Sequence, residues 1–156
     1  MSKPAESDIG ILLTLALRAF TDQLHAELRT RGFPDLRPAF GVVFRSLRNE
    51  PLTLTELADR LRVTKQAAAK VVDEMASKGL LRKKPAAGDG RAKLLELTPR
   101  GRRAMATAIE IGAEIHARVE AAAGPRATAG MRRALEFLIV DTGLGDDLAN
   151  RRSPAL

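Results

Sequence analysis

A chain of 156 residues with 45% hydrophobic residues can bury the core of one domain, or of one domain with dimerising extensions. It holds no Cys and only two His, His25 and His116, which excludes disulfide scaffolds, thiol chemistry and Cys/His metal clusters. Its formal charge of +7 points towards a polyanion.

That charge is segregated. Residues from Pro51 to Arg103 hold 13 Lys/Arg and 6 Asp/Glu, whereas the rest of the chain holds 13 of each. One contiguous third therefore carries the whole excess, which favours a polyanion-binding submodule over a uniformly solvated basic surface.

The most apolar run, Ile9 to Leu17, is nine residues long and stops at Arg18. A bilayer span needs roughly twenty, so no transmembrane helix and no membrane partner are expected. Glu6 and Asp8 spoil a positive leader, so the expected location is cytoplasmic. From about Ser7 to Arg31 a helical period is visible in Leu13, Leu17, Phe20, Leu24 and Leu28, and Gly32 and Pro34 end it. Ile9, Ile11, Leu12 and Leu15 make this helix apolar on more sides than a one-sided helix needs. A second helix starts after Pro38 and carries Phe40, Val43, Phe44 and Leu47.

Thr53-Leu54-Thr55-Glu56 fits a capping box, in which the hydroxyl takes the N3 amide and Glu56 reaches back to the cap. The helix it opens buries Leu54, Leu57, Ala58 and Leu61. After a break at Arg62-Val63-Thr64, Thr64 caps another helix that stops at Gly79. Leu80 to Ala86 and Ala92 to Leu97 alternate in part, and the Asp89-Gly90 step between them signals a hairpin. Thr98-Pro99 restarts a helix to about Ala123, with Met105, Ile109, Gly112, Ile115 and Val119 near one face. Gly124-Pro125 breaks it. A last helix with Met131, Leu135, Leu138 and Ile139 stops near Gly143, and residues 146–156 read as a loose tail. The fold class is mainly α with a small β-hairpin wing.

A helix, a tight break, a second helix and a basic hairpin form the layout of a winged helix-turn-helix, whose second helix enters the major groove of double-stranded DNA. Placing residues at steps of about 100° puts Ala68, Val71, Val72 and Met75 on the core side of that helix. Gln66, Ala69, Lys70, Asp73 and Ser77 face outwards, with Lys65 towards the edge. Gln66 can grip adenine with two hydrogen bonds, and lysines reach guanine acceptors or phosphates. The candidate DNA-contacting residues are Thr64, Lys65, Gln66, Ala69 and Lys70 on the helix, with Arg82, Lys84, Asp89, Arg91 and Lys93 in the hairpin. An arginine such as Arg91 at a loop tip suits a narrow, electronegative minor groove, and Asp89 can hold its guanidinium.

These residues resemble the multiple antibiotic resistance regulator (MarR) family of bacterial transcription factors. The resemblance lies in Leu54-Thr55-Glu56-Leu57-Ala58, Thr64-Lys65-Gln66-Ala67, Lys78-Gly79-Leu80-Leu81 and Asp89-Gly90-Arg91. It continues through Leu94-Leu95-Glu96-Leu97-Thr98-Pro99-Arg100-Gly101. It implies one MarR-like domain over residues 1–145, with a DNA-binding lobe over about 36–103 and dimerisation helices over about 8–31 and 99–143. It further implies a homodimer that represses genes at a pseudo-palindromic operator until a small effector, aromatic or anionic, binds. By position the effector contacts are His25, Phe40, Phe44 and Arg45; the alternative is that the Phe residues are core and His25 is a satisfied interface histidine. Arg62 departs from the Gly common at such breaks, and a positive φ there costs on the order of 1 kcal/mol. Without Cys, oxidant sensing through a thiolate is closed.

Three other classes compete. An enzyme is disfavoured because no phosphate-cradling loop, nucleophile-base pair or metal-ligand spacing is present, and no cofactor is expected. Asp146-Asp147 and Glu110/Glu114 are the remaining carboxylate pairs, one beside the tail and one on a solvated helix. A sequence-independent architectural DNA binder shares the charge but has no use for Gln66. A helical protein-interaction module would show no steep salt dependence towards duplex DNA.

Overall fold

The computed structural model describes residues 8–86 and 89–141. Within them six helices and three strands follow in order: α1 (Ile9–Thr30), α2 (Pro38–Ser46), β1 (Leu52–Thr53), α3 (Leu54–Leu61), α4 (Lys65–Ser77), β2 (Leu81–Ala86), β3 (Asp89–Leu97), α5 (Pro99–Ala123) and α6 (Pro125–Asp141). Among the described residues, no helix is long and apolar enough to cross a membrane.

Local chemistry sets most of these boundaries. Thr53 and Glu56 complete the capping box: the Thr53 N–H donates to Glu56 Oε2 at 2.7 Å, and the Glu56 N–H donates to Thr53 Oγ1 at 3.2 Å. The Thr53 N–H, and with it the Thr53 hydroxyl donating at 2.9 Å, bind the ionised Glu56 carboxyl and hold it below its usual pKa range. Thr64 caps α4 by accepting from the Ala67 N–H at 3.1 Å, and Thr98 caps α5 by accepting from the Gly101 N–H at 3.0 Å. Pro38, Pro99 and Pro125 each open a helix, where a missing N–H costs nothing.

The break between α3 and α4 turns at Arg62, with φ 53° and ψ 41°. An L residue in this left-handed region costs about 1–2 kcal/mol. The turn returns two backbone bonds, Arg62 N–H to Asp59 O at 3.2 Å and Val63 N–H to Ala58 O at 3.1 Å, which satisfy carbonyls at the end of α3.

Two features differ from the sequence expectation. The wing is a three-stranded antiparallel sheet of order β1-β3-β2, not a bare hairpin, because Leu52 and Thr53 pair with Leu95 and Leu94. Strand β3 also begins at Asp89, so the Asp89-Gly90 step lies within a strand. Pro85 pairs with Lys93 but the next residue, Ala86, pairs with Asp89, so Gly90, Arg91 and Ala92 form a bulge.

The main core lies inside the winged helix. Phe40, Val43 and Phe44 of α2 meet Leu57 and Leu61 of α3, Val72 and Met75 of α4, and Leu81, Leu95 and Leu97 of the sheet. Leu54, expected to be buried with them, is half-buried and packs on this cluster. A second, smaller cluster joins Leu28 of α1 to Ile111 and Ile115 of α5, with Phe33 and Leu36 packed against both cores.

The face of α5 grouped from the sequence is buried only in part. Ala104, Ile111 and Ile115 are buried and Ala108 packs with them, whereas Ile109 and Val119 are exposed. Among the described residues, most of α1 and α6 is exposed. Ile9 is 61% exposed, Phe137 68% and Val140 65%, and Ile11, Leu12, Leu15 and Leu17 are exposed as well.

Candidate nucleic-acid interface

Helix α4 is amphipathic as its sequence demands. Ala68, Val72 and Met75 are buried with Val71 partly so, while Lys65, Gln66, Lys70, Asp73 and Ser77 are exposed and Ala69 is half-buried. Among the described residues, Lys65, Gln66 and Lys70 have no side-chain hydrogen-bond or ion-pair partner. Their donors point outwards from the first two turns of α4. Thr64, by contrast, uses its hydroxyl as the cap that fixes where those turns begin.

The cations of β2 are all engaged. Lys83 Nζ reaches Asp73 Oδ1 of α4 at 2.6 Å, which ties the wing to the exposed face of the helix. Arg82 and Lys84 lie on the other face of the strand, and both contact Glu96 Oε2 at 3.1 Å. Arg102, in the first turn of α5, comes within 3.8 Å of the second oxygen of the same carboxylate. Lys93 is exposed opposite Pro85. Asp89 and Arg91 have strand backbone, but their side chains, like residues 87–88 and the tail from 142 onwards, lie outside the described residues.

Helix and wing are held in register by contacts that the sequence does not announce. The Thr98 hydroxyl donates to the Gly79 carbonyl at 2.6 Å, joining the start of α5 to the end of α4. Gly101 packs directly on the Leu80 carbonyl: a Cβ there would lie 1.9 Å from the oxygen, so no other residue fits. Arg37 binds Glu74 at 2.6 Å and so pins the back of α4 to the segment before α2. The guanidinium of Arg100 stands 5.7 Å above the Phe33 ring.

The candidate effector residues do not form one cluster. Phe40 and Phe44 are 1% and 4% exposed within the main core, and Arg45 is exposed on α2. His25 is half-buried on α1. Burial lowers its pKa, against a smaller opposing effect of its hydrogen bond to the Leu36 backbone. A separate apolar cavity of about 160 Å³ lies behind α4, walled by Val42, Val43, Leu61, Val63, Ala67 and Val71 among others; none of the four candidate effector residues lines it.

Residues 37–92 match the sequence model of the MarR family, a span that covers α2 through the start of β3. The chain has the fold of that family's solved members across nearly its whole described length. The stretch that matches the MarR family model is the winged helix-turn-helix itself. One similar structure is apo MarR from E. coli, at 21% identity over 85% of this chain and 98% of that one, with a TM-score of 0.66. Another is YusO from Bacillus subtilis, at 22% identity over 87% and 97% of the two chains and a TM-score of 0.67. A mutant E. coli MarR complexed with operator DNA matches at 22% identity over 84% and 93%, with a TM-score of 0.67. No curated protein matches the chain.

Proposed function

We propose that this protein is a MarR-type cytoplasmic transcriptional regulator that binds duplex DNA as a homodimer, represses at a pseudo-palindromic operator, and is released by a small effector. The observation that carries the DNA-binding reading is the pairing of two surfaces. Lys65, Gln66 and Lys70 stand without partners on the exposed face of α4, and Lys83 ties the basic wing to that same helix. A groove-reading helix beside a cationic strand pair meets the geometric and electrostatic needs of duplex recognition together. The operator complex of the E. coli relative supports the same placement.

In this reading residues 36–103 form the DNA-binding lobe. Gln66 reads a base, Lys65, Lys70 and Lys93 take guanine acceptors or phosphates, and Thr64 and Ala69 shape the approach. Arg91, steadied by Asp89, enters the minor groove, while Arg82 and Lys84 meet the backbone. The helices over 8–31 and 99–143 are the dimer arms. Their support is the apolar surface of α1 and α6, far more than a monomer of this size leaves wet without a partner. In this reading the effector meets the chain at His25 or Arg45, while Phe40 and Phe44 belong to the lobe core. His25 is largely neutral near pH 7, since burial lowers its pKa, so Arg45 is the counter-charge for an anion.

Selection of bound fragments from the source genome, followed by footprinting, tests the reading. The expected result is a two-fold symmetric site with half-sites one helical turn apart. Uniform protection of unrelated duplexes points instead to an architectural DNA binder, and no protection at all to a protein-interaction module.

A further inference from the structure

Strand pairing places Glu96 directly opposite Arg82, with Lys84 two residues further along the same face of β2. Its carboxylate binds Arg82 through both Nε and Nη2 at 3.1 Å and Lys84 Nζ at 3.1 Å, with Arg102 beyond at 3.8 Å. The Glu96 side chain is 20% exposed, whereas those of the three cations are half-exposed, so the anion sits beneath a cationic outer layer. Arg82 and Lys84 hold its carboxyl below the usual pKa range, and it stays ionised at physiological pH. Glu96 neither caps a helix nor packs in either core.

We propose that Glu96 is an electrostatic brake on the wing: it competes with DNA phosphates for Arg82 and Lys84 and so limits the sequence-independent part of the affinity. This rests on the DNA-binding reading given above. Exposed ion pairs of this kind contribute little net stability, so a phosphate can displace them and the competition is near balance. Both basic side chains are thereby held across the sheet against β3 while their pull on any passing duplex is reduced. Discrimination then rests more heavily on the partner-free Lys65, Gln66 and Lys70.

The test is the salt dependence of binding to an unrelated duplex, measured by fluorescence anisotropy for the full chain and for Glu96→Gln. Each phosphate contact contributes about 0.9 to the slope of log K against log salt. Glu96→Gln is expected to steepen that slope by about one to two and to tighten binding on the order of tenfold at low salt. Glu96→Asp, which keeps the charge, should stay close to the parent. The gain should vanish when Glu96→Gln is made together with Arg82→Ala and Lys84→Ala, since nothing is then left to release. An unchanged slope, weaker binding, or a gain that survives in the triple variant overturns the brake while leaving the DNA-binding reading intact. A parent protein with no salt-dependent binding removes that reading, and the brake with it.

Discussion

The winged-helix lobe and the helices that flank it treat apolar and charged side chains in opposite ways. Between Pro51 and Arg103 the chain displays an excess of seven positive charges over a core that buries Leu57, Val72, Met75, Leu95 and Leu97. Outside that window the charges balance, yet Ile9, Leu15, Leu17 and Phe137 face solvent in the single chain. The lobe has satisfied its hydrophobic requirement internally and turned its charge outwards. Among the described residues, the flanks bury Leu28, Ile111 and Ile115 as their own cluster and leave much of their apolar surface exposed. Stability of the lobe is thus a matter of packing within one chain, and that of the arms, in the proposed homodimer, a matter of association.

Substitutions separate the two. Phe40→Ala removes a ring from the lobe core and should cost about 3–5 kcal/mol in urea denaturation, at any protein concentration. Leu15→Glu on α1 should barely change the lobe, but it should shift sedimentation velocity from dimer to monomer. A Leu15→Glu protein that remains a dimer at micromolar concentration would contradict the division between lobe and arms.

Most elements of this division are legible in the sequence because the signals that set them are local. Thr53 with Glu56, Thr64 before α4, and Thr98-Pro99 each act within four residues, and each cap forms as its spacing implies. The positive φ at Arg62 follows from the shortness of the break, whatever residue occupies it. Strand β1 was not legible, since two residues carry no period-2 pattern and their pairing depends on where β3 falls. The apolar face of α5 drawn from its sequence is only partly buried: Ile115 packs with Leu28 and Ile111, while Ile109 and Val119 are exposed. At the interface, the outward face of α4 could be derived from helical geometry alone. The Glu96 cluster could not: Arg82 lies 14 residues away in sequence, and only the strand register brings the two together.

Smaller effects sharpen the contrast. Gln66→Ala should cost about 1–3 kcal/mol on a cognate site, relax preference at one base pair, and leave folding unchanged, as read by anisotropy on single-base operator variants. His25, on the arm side, adds a weak pH dependence. Burial lowers its folded pKa below the ordinary 6.5, so its contribution to stability is present above that value and fades as pH falls through it. His25→Gln should therefore flatten the loss of denaturation midpoint between pH 7 and 5, while Glu56, Glu96 and Glu114, also lowered, act only at more acidic pH.

The most direct measurement combines stoichiometry with specificity: analytical ultracentrifugation and anisotropy of the intact chain on its selected palindromic duplex and on a scrambled duplex of the same length, at physiological salt. The account predicts two protomers per palindrome and an affinity at least about a thousandfold above that for the scrambled duplex. Equal affinity for the two duplexes, or a single protomer bound to each, would contradict it.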